Sequence, residues 1–301
     1  MRLAEIHSSE LTSSCLRKVY HRLAGETTGE ATTALYRGLV AGRAVELVHQ
    51  NGFDSDPVET TIVAAADTHK TLAVEGRILS SAVETNSQDI MAEITQVVIA
   101  YIERFREMFE SCTLIGTEVP CRLTLDGFDY ASHIDLMVRD DQNVFGYGKG
   151  KLLVFDWKYR EQQPSYHYLA RNMQFSLYYL MVKKGSIMCE PSAGDMGWVE
   201  FGEEPILIWL HLPSLKPYGR KVVSKNDRGV ETEYKRGDLR PIRSILHSVE
   251  YNSDQDDAIE LELRMRAKMI ENDIFPLNPD PVSCRICDAE PFCTRFDLPQ
   301  L

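Results

Sequence analysis

The sequence predicts an α/β fold, a mixed central β-sheet flanked by helices. Three observations predict it. A long run of helical period ends near residue 111, and strand-like segments follow at once. Those segments contain Asp126-Gly127, a strong hairpin-turn dipeptide. Beyond them, a helical stretch alternates with short, buried-looking apolar runs, the order expected when helices pack on a sheet.

Residues 12–24 and 31–50 read as helices. In residues 85–111 the apolar positions Ile90, Ile94, Val97, Val98, Tyr101, Ile102 and Phe105 recur at helical spacing. Residues 114–138 form two antiparallel strands about the Asp126-Gly127 turn, and residues 151–159 form a third. Residues 165–185 are a helix stopped by Gly185. Residues 205–212 are a buried strand, and residues 257–273 a last helix before a Pro- and Cys-rich tail. No low-complexity segment, internal repeat or Gly/Ser/Pro-rich linker divides the chain, so residues 1–301 are expected to form one domain.

With 44% hydrophobic and 26% charged residues, the composition is that of a globular protein. No apolar run approaches the length that spans a bilayer, so no membrane partner is expected. His7 and Glu10 stand where a secretory signal needs an apolar core, which predicts an intracellular (cytoplasmic) location. Seven cysteines in such a compartment point to metal ligation rather than disulfides.

The chemistry gathers around Asp135 and the tripeptide Asp156-Trp157-Lys158, with twenty residues between the two aspartates. On a strand, side chains two apart share a face, so Asp156 and Lys158 point together and Trp157 points away. A neighbouring strand ending near Asp135 can bring the second carboxylate beside the first. Paired carboxylates suit a hard divalent cation, Mg2+ or Mn2+, which can activate water and neutralise charge growing on a phosphate. Lys158 could then position that water or steady the pentavalent transition state. An Asp-x-Lys tripeptide alone is commonly a surface ion pair. Here it follows the apolar run Leu152–Phe155, and a charge at the end of a buried strand needs a partner or a metal.

This set resembles the PD-(D/E)XK nucleases, and among them the RecB-like exonucleases and the CRISPR-associated iron–sulfur exonucleases. The resemblance runs from Cys15 to Cys293. It implies a restriction-endonuclease-like core, DNA as the partner and phosphodiester hydrolysis as the reaction. Asp135 and Asp156 would hold the ion, assisted by Glu46 and by the main-chain carbonyl of Trp157. In these families a helix after the Asp-x-Lys strand carries Gln and Tyr one turn apart, matched here by Gln174 and Tyr178. These would contact DNA near the scissile phosphate. His167 and Arg171 would extend their face, opposite a core stripe of Met173, Leu177, Leu180 and Met181.

Two departures stand out. The early Gly-x-x-Val-His pattern is Gly42-Arg43-Ala44-Val45-Glu46 here, so Glu46 replaces the histidine, with His49 the alternative ligand. Ser132 stands where the family tends to have Gly, three residues before the first aspartate. Glu118, on the preceding strand, reads equally as a neighbour of the site or as a surface acid.

Cys284, Cys287 and Cys293 form a C-x2-C-x5-C tail, three corners of a metal centre, and Cys15 is the candidate fourth. The resemblance implies that these four hold a [4Fe–4S] cluster; tetrahedral zinc is the alternative. Closing a loop of about 270 residues would pin both termini, a structural role separate from the catalytic ion. Cys112, Cys121 and Cys189 read as small buried residues.

A net charge of −12 argues against a protein that coats nucleic acid non-specifically, yet clustered metal-binding acids are compatible with a nuclease. Residues 220–243 carry eight Lys/Arg against four acids, a candidate phosphate-contacting surface that an exposed hairpin of mixed charge explains as well. The rival readings are a structure-specific endonuclease and a catalytically silent DNA-binding or scaffold subunit of a recombination or repair complex. There is no P-loop, so any unwinding would come from a helicase or a recombination or replication partner.

Overall fold

The structure, a computed structural model, describes residues 6–7, 11, 16–25, 29–160, 169, 172–192, 195–213, 245–249, 251 and 253–274. The expectations for Cys15, His167, Arg171, residues 220–243, Cys284, Cys287 and Cys293 lie outside these residues.

The elements in chain order are β1 (Ile6–His7), α1 (Leu16–Leu23), β2 (Glu30–Ala31), α2 (Thr33–Asn51), α3 (Pro57–Val74), β3 (Ile78–Leu79), α4 (Ser81–Thr85) and α5 (Ser87–Glu110). Then follow β4 (Thr113–Leu125), β5 (Phe128–Asp140), β6 (Lys151–Arg160), α6 (Met173–Lys184), β7 (Ser186–Ser192), β8 (Asp195–Val199), β9 (Ile206–Pro213), β10 (Ile245–Val249) and α7 (Asp256–Glu271). The expected α/β class is observed. One sheet runs β10-β9-β6-β5-β4-β7-β8, with β1 joining β5, and it is mixed because β6 and β9 are parallel while β4, β5 and β6 are antiparallel.

Alternation along β6 sorts the two cores. Leu152 and Val154 enter one apolar cluster with Phe175 and Tyr179 of α6 and Leu263 of α7. Leu153, Phe155 and Trp157 enter the other, with Val45 of α2, Leu72 of α3 and Tyr101 and Phe105 of α5. Trp157 thus points away from Asp156, as strand geometry requires.

Some elements differ from expectation. Helix α3 and strands β7, β8 and β10 were not anticipated. Asp56 caps α3 by accepting from the N–H groups of Val58 and Glu59, and Pro57 opens it, a start signal that the sequence does carry. The two-faced reading of α6 is corrected: Phe175, Tyr178 and Tyr179 are buried as fully as Leu177, so the helix is apolar nearly all round. Cys121 and Cys189 are buried as read, whereas Cys112 is only half-buried. No described helix is long and apolar enough to cross a membrane.

His49 lies inside the second core, against Phe53, Phe109 and Trp157, with Nε2 2.7 Å from the Tyr101 hydroxyl. Burial holds its pKa at about 4, below the ordinary 6.5. The unfolded chain therefore takes up a proton that the folded chain refuses. The stability His49 contributes is full above pH 6.5 and drains away as pH falls from 6.5 to about 4, by about 3 kcal/mol at most. Thermal melts of wild type and His49→Gln across that window test this. The wild type should lose more stability than the variant; parallel curves would contradict a neutral, buried His49.

Candidate active site

The site is built by strand register. On β4 and β5, Thr117 faces Leu136 and Val119 faces Ile134, which sets Glu118 opposite Asp135. On β5 and β6, Leu136 faces Phe155, which sets Asp135 opposite Asp156. Three acids therefore line up across three adjacent strands. The β5–β6 ladder runs from Asp140 and Lys151 to Leu136 and Phe155, and stops where the acids begin. Beyond that point the Trp157 N–H donates to Asp135 Oδ2 at 2.9 Å, so a carboxylate stands in for a backbone acceptor. On its other edge β6 keeps its register with β9, Asp156 beside Trp209, which fixes Asp156 in place.

Asp156 is fully buried, and Lys158, two residues on and on the same face, meets its Oδ1 at 2.6 Å. Asp135 is half-buried. Burial first, then repulsion from Asp156 and Glu118, raises its pKa well above the usual carboxylate range against the opposing pull of Lys158 and the Trp157 N–H. Glu118 is exposed, yet its pKa is pushed up to about 7 by the groups crowded around its carboxylate end. Burial is the main cause, reinforced by Glu46 and Asp156, while Lys158 and Arg43 act in the opposite sense. Glu118 adopts φ 45°, and a register shift lies between Leu114 and Gly116 on the same strand.

Glu46 projects from α2 toward this row, close enough to raise the pKa of Glu118. Its Oε1 is held by Arg43 Nη1 and by Gln50 Nε2, each at 2.7 Å. Helix α2 approaches β6 closely: a Cβ on Gly42 would lie 3.2 Å from the Trp157 indole nitrogen, tighter than an ordinary contact. His49 does not join the group, because its ring faces the aromatic core.

Gln174 and Tyr178 lie on α6, beneath β5. The amide of Gln174 donates to the Tyr178 hydroxyl at 2.7 Å, and that hydroxyl donates to the His133 carbonyl at 2.7 Å. Tyr178 is buried, its pKa raised by burial and then by Asp135 and Asp156. It ties α6 to the strand two residues before Asp135. Its hydroxyl is therefore turned to the β5 backbone.

The structure thus brings together Asp135, Asp156, Lys158 and the Trp157 backbone, with Glu46 near Glu118 at the edge of the row. It adds Glu118, whose part depends on a strand register the sequence does not display. Among the described residues, no three His, Cys, Asp or Glu side chains stand together at metal-binding spacing. Lys158, the Trp157 N–H, Arg43 and Gln50 each turn a carboxylate toward a protein donor. The chemistry of the donors nonetheless fits a hard divalent ion: they are oxygens, and burial first, then repulsion among the acids, raises Asp135 and Glu118, a cost that such an ion would offset. The thiols of Cys112, Cys121 and Cys189, raised chiefly by burial, are held protonated and are poor metal ligands.

Fold and site together define a class: α/β domains whose acids and lysine gather where two central strands part. A family model described as the PD-(D/E)XK nuclease superfamily matches residues 8–294, and the chain belongs to that superfamily. Nucleases of this superfamily typically use divalent metal ions, and the family implies nucleic-acid binding. No curated protein matches the chain. Among solved structures, one described as "Crystal structure of SSO0001" is similar at 11% identity over 93% of each chain, with a TM-score of 0.35.

Proposed function

We propose that this protein is a divalent-metal-dependent deoxyribonuclease, acting as an exonuclease. The observation that carries the reading is the row of Glu118, Asp135 and Asp156 across three strands, with Lys158 on the face of Asp156. Asp135, Asp156 and Glu46 would hold Mg2+ or Mn2+, with the Trp157 carbonyl as a further oxygen donor. The bound ion would supply charge neutralisation and a lowered pKa for water. Lys158, once Asp156 turns to the ion, is placed to orient the attacking water and to stabilise negative charge on the phosphoryl oxygens. The water oxygen attacks phosphorus, the bridging P–O bond breaks, and the departing oxygen takes up a proton. Gln174, partly exposed on α6, is the member of its pair placed to reach DNA, and Tyr178 supports it from beneath.

Purified protein incubated with end-labelled DNA and Mn2+, beside Asp156→Ala, tests the reading. Shortening from an end by wild type alone supports an exonuclease. Cutting of a closed circle indicates an endonuclease, and cleavage by neither protein indicates a binding or scaffold subunit.

On the resemblance alone, Cys15, Cys284, Cys287 and Cys293 would bind a [4Fe–4S] cluster that closes residues 1–301 into one domain. Metal and acid-labile sulfide analysis separates about four irons per chain from a single zinc.

A further inference from the structure

Helix α2 presents Glu46 from outside the sheet, so something must fix where its carboxylate points. We propose that Gln50 is the positioning residue that aims Glu46 at the catalytic ion, an inference that rests on the metal-dependent reading above. Gln50 lies one turn after Glu46, in the last turn of α2, where residues four apart are neighbours. Its Nε2 makes two bonds, to Glu46 Oε1 at 2.7 Å and to Thr117 Oγ1 at 3.0 Å. An ionised carboxylate only accepts, so the amide must present its NH2 end, one proton to each oxygen. Thr117 immediately precedes Glu118 on β4. The bridge therefore ties the helix that carries Glu46 to the strand that carries the first acid of the row.

A second donor closes on the same oxygen. Arg43 Nη1 meets Glu46 Oε1 at 2.7 Å, and Arg43 is itself anchored on Asp67 Oδ2 of α3 through Nε at 2.9 Å and Nη2 at 2.8 Å. Both clamps seize Oε1, and no described residue bonds Oε2. The carboxylate is thus oriented, with one oxygen held by protein and the other left to face the ion. Of the two donors Gln50 is the cleaner probe. Removing Arg43 would also change the charge beside the ion, whereas the neutral and exposed Gln50 can be replaced without doing so.

The test is titration of the full-length protein with Mn2+ alone, without DNA, reading free Mn2+ by electron paramagnetic resonance, alongside thermal melts. Gln50→Met should bind Mn2+ about tenfold more weakly, as expected for loss of a partner that orients a ligand, with an unchanged melting temperature. Thr117→Val should weaken binding by a smaller factor, and in the Gln50→Met background it should add nothing, because both act through one bridge. Gln50→Glu keeps the size and adds a negative charge. A pure charge effect would tighten binding, whereas loss of the clamp weakens it. Affinity within about twofold of wild type in Gln50→Met, additivity of the pair, or tighter binding by Gln50→Glu would each overturn the assignment. Asp156→Asn separates the two readings. If it loses Mn2+ while Gln50→Met retains it, only the positioning role fails; if it binds as wild type does, the ion reading fails and takes this one with it.

Discussion

Asp156→Asn is expected to lower DNA cleavage by at least about a thousandfold and to weaken Mn2+ binding, without lowering the melting temperature. The substitution keeps the shape of the side chain and its ability to accept from Lys158, which sits 2.6 Å away. It removes one negative charge from a row whose members repel each other: Asp156 is among the groups that raise the pKa of both Asp135 and Glu118. In the ion-free protein that repulsion is a cost, so its removal should leave stability equal or higher, the usual relation between a catalytic charge and the fold that carries it. Cleavage assays, Mn2+ titration and melting of the same preparation decide the matter. Lost cleavage together with a fall in melting temperature would make Asp156 a structural residue, its burial beside Trp209 and Lys158 serving the sheet rather than an ion. Lost cleavage with a stable fold and weakened Mn2+ binding assigns it to the ion.

Much of this arrangement is legible in the sequence, and the parts that are not fail for identifiable reasons. The hairpin is legible because its turn needs two residues at positive φ. Asp126 at 51° and Gly127 at 81° supply them, as the dipeptide predicts. The facing of Asp156, Lys158 and Trp157 is legible because period two holds along β6. Glu118 is not legible in the same way. Its strand carries a register shift after Leu114 and a left-handed residue at Glu118 itself, and one residue of slip exchanges the faces of a strand. Helix α3 is masked by an inverted pattern, with Val58 and Ile62 exposed while Thr60, Thr61 and Thr68 are buried. Counting residues places His49 beside Glu46 on α2, but three residues are not a full turn. The difference is enough to send one side chain to the acids and the other into the aromatic core.

Gly185→Ala should destabilise the fold by about 3 kcal/mol or more, the reverse of the usual effect of that exchange. The backbone of Gly185 has φ −103°, open to any residue, so no conformational strain is involved. The obstacle is space. Gly185 ends α6, donating its N–H to the Met181 carbonyl at 3.0 Å, and its neighbour Ser186 pairs with Arg122 as β7 meets β4. A Cβ here would overlap the Arg122 carbonyl oxygen and stand 2.8 Å from that of Met181. Both are main-chain atoms that cannot rotate aside, so the end of α6 would have to lift from the sheet. Gly38, inside α2, is the control: a Cβ there meets nothing within 4 Å, and Gly38→Ala should stabilise by about 0.5–1 kcal/mol through helix propensity. Opposite shifts in melting temperature are thus expected from one chemical change at two sites. The effect should also reach the chemistry, because α6 carries Tyr178, whose hydroxyl holds the His133 carbonyl two residues before Asp135. A helix displaced at Gly185 would loosen that bond and, with it, the position of Asp135 in the acidic row. If Gly185→Ala melts at or above wild type, α6 does not rest on β4 as described, and the support it gives to Asp135 goes with it.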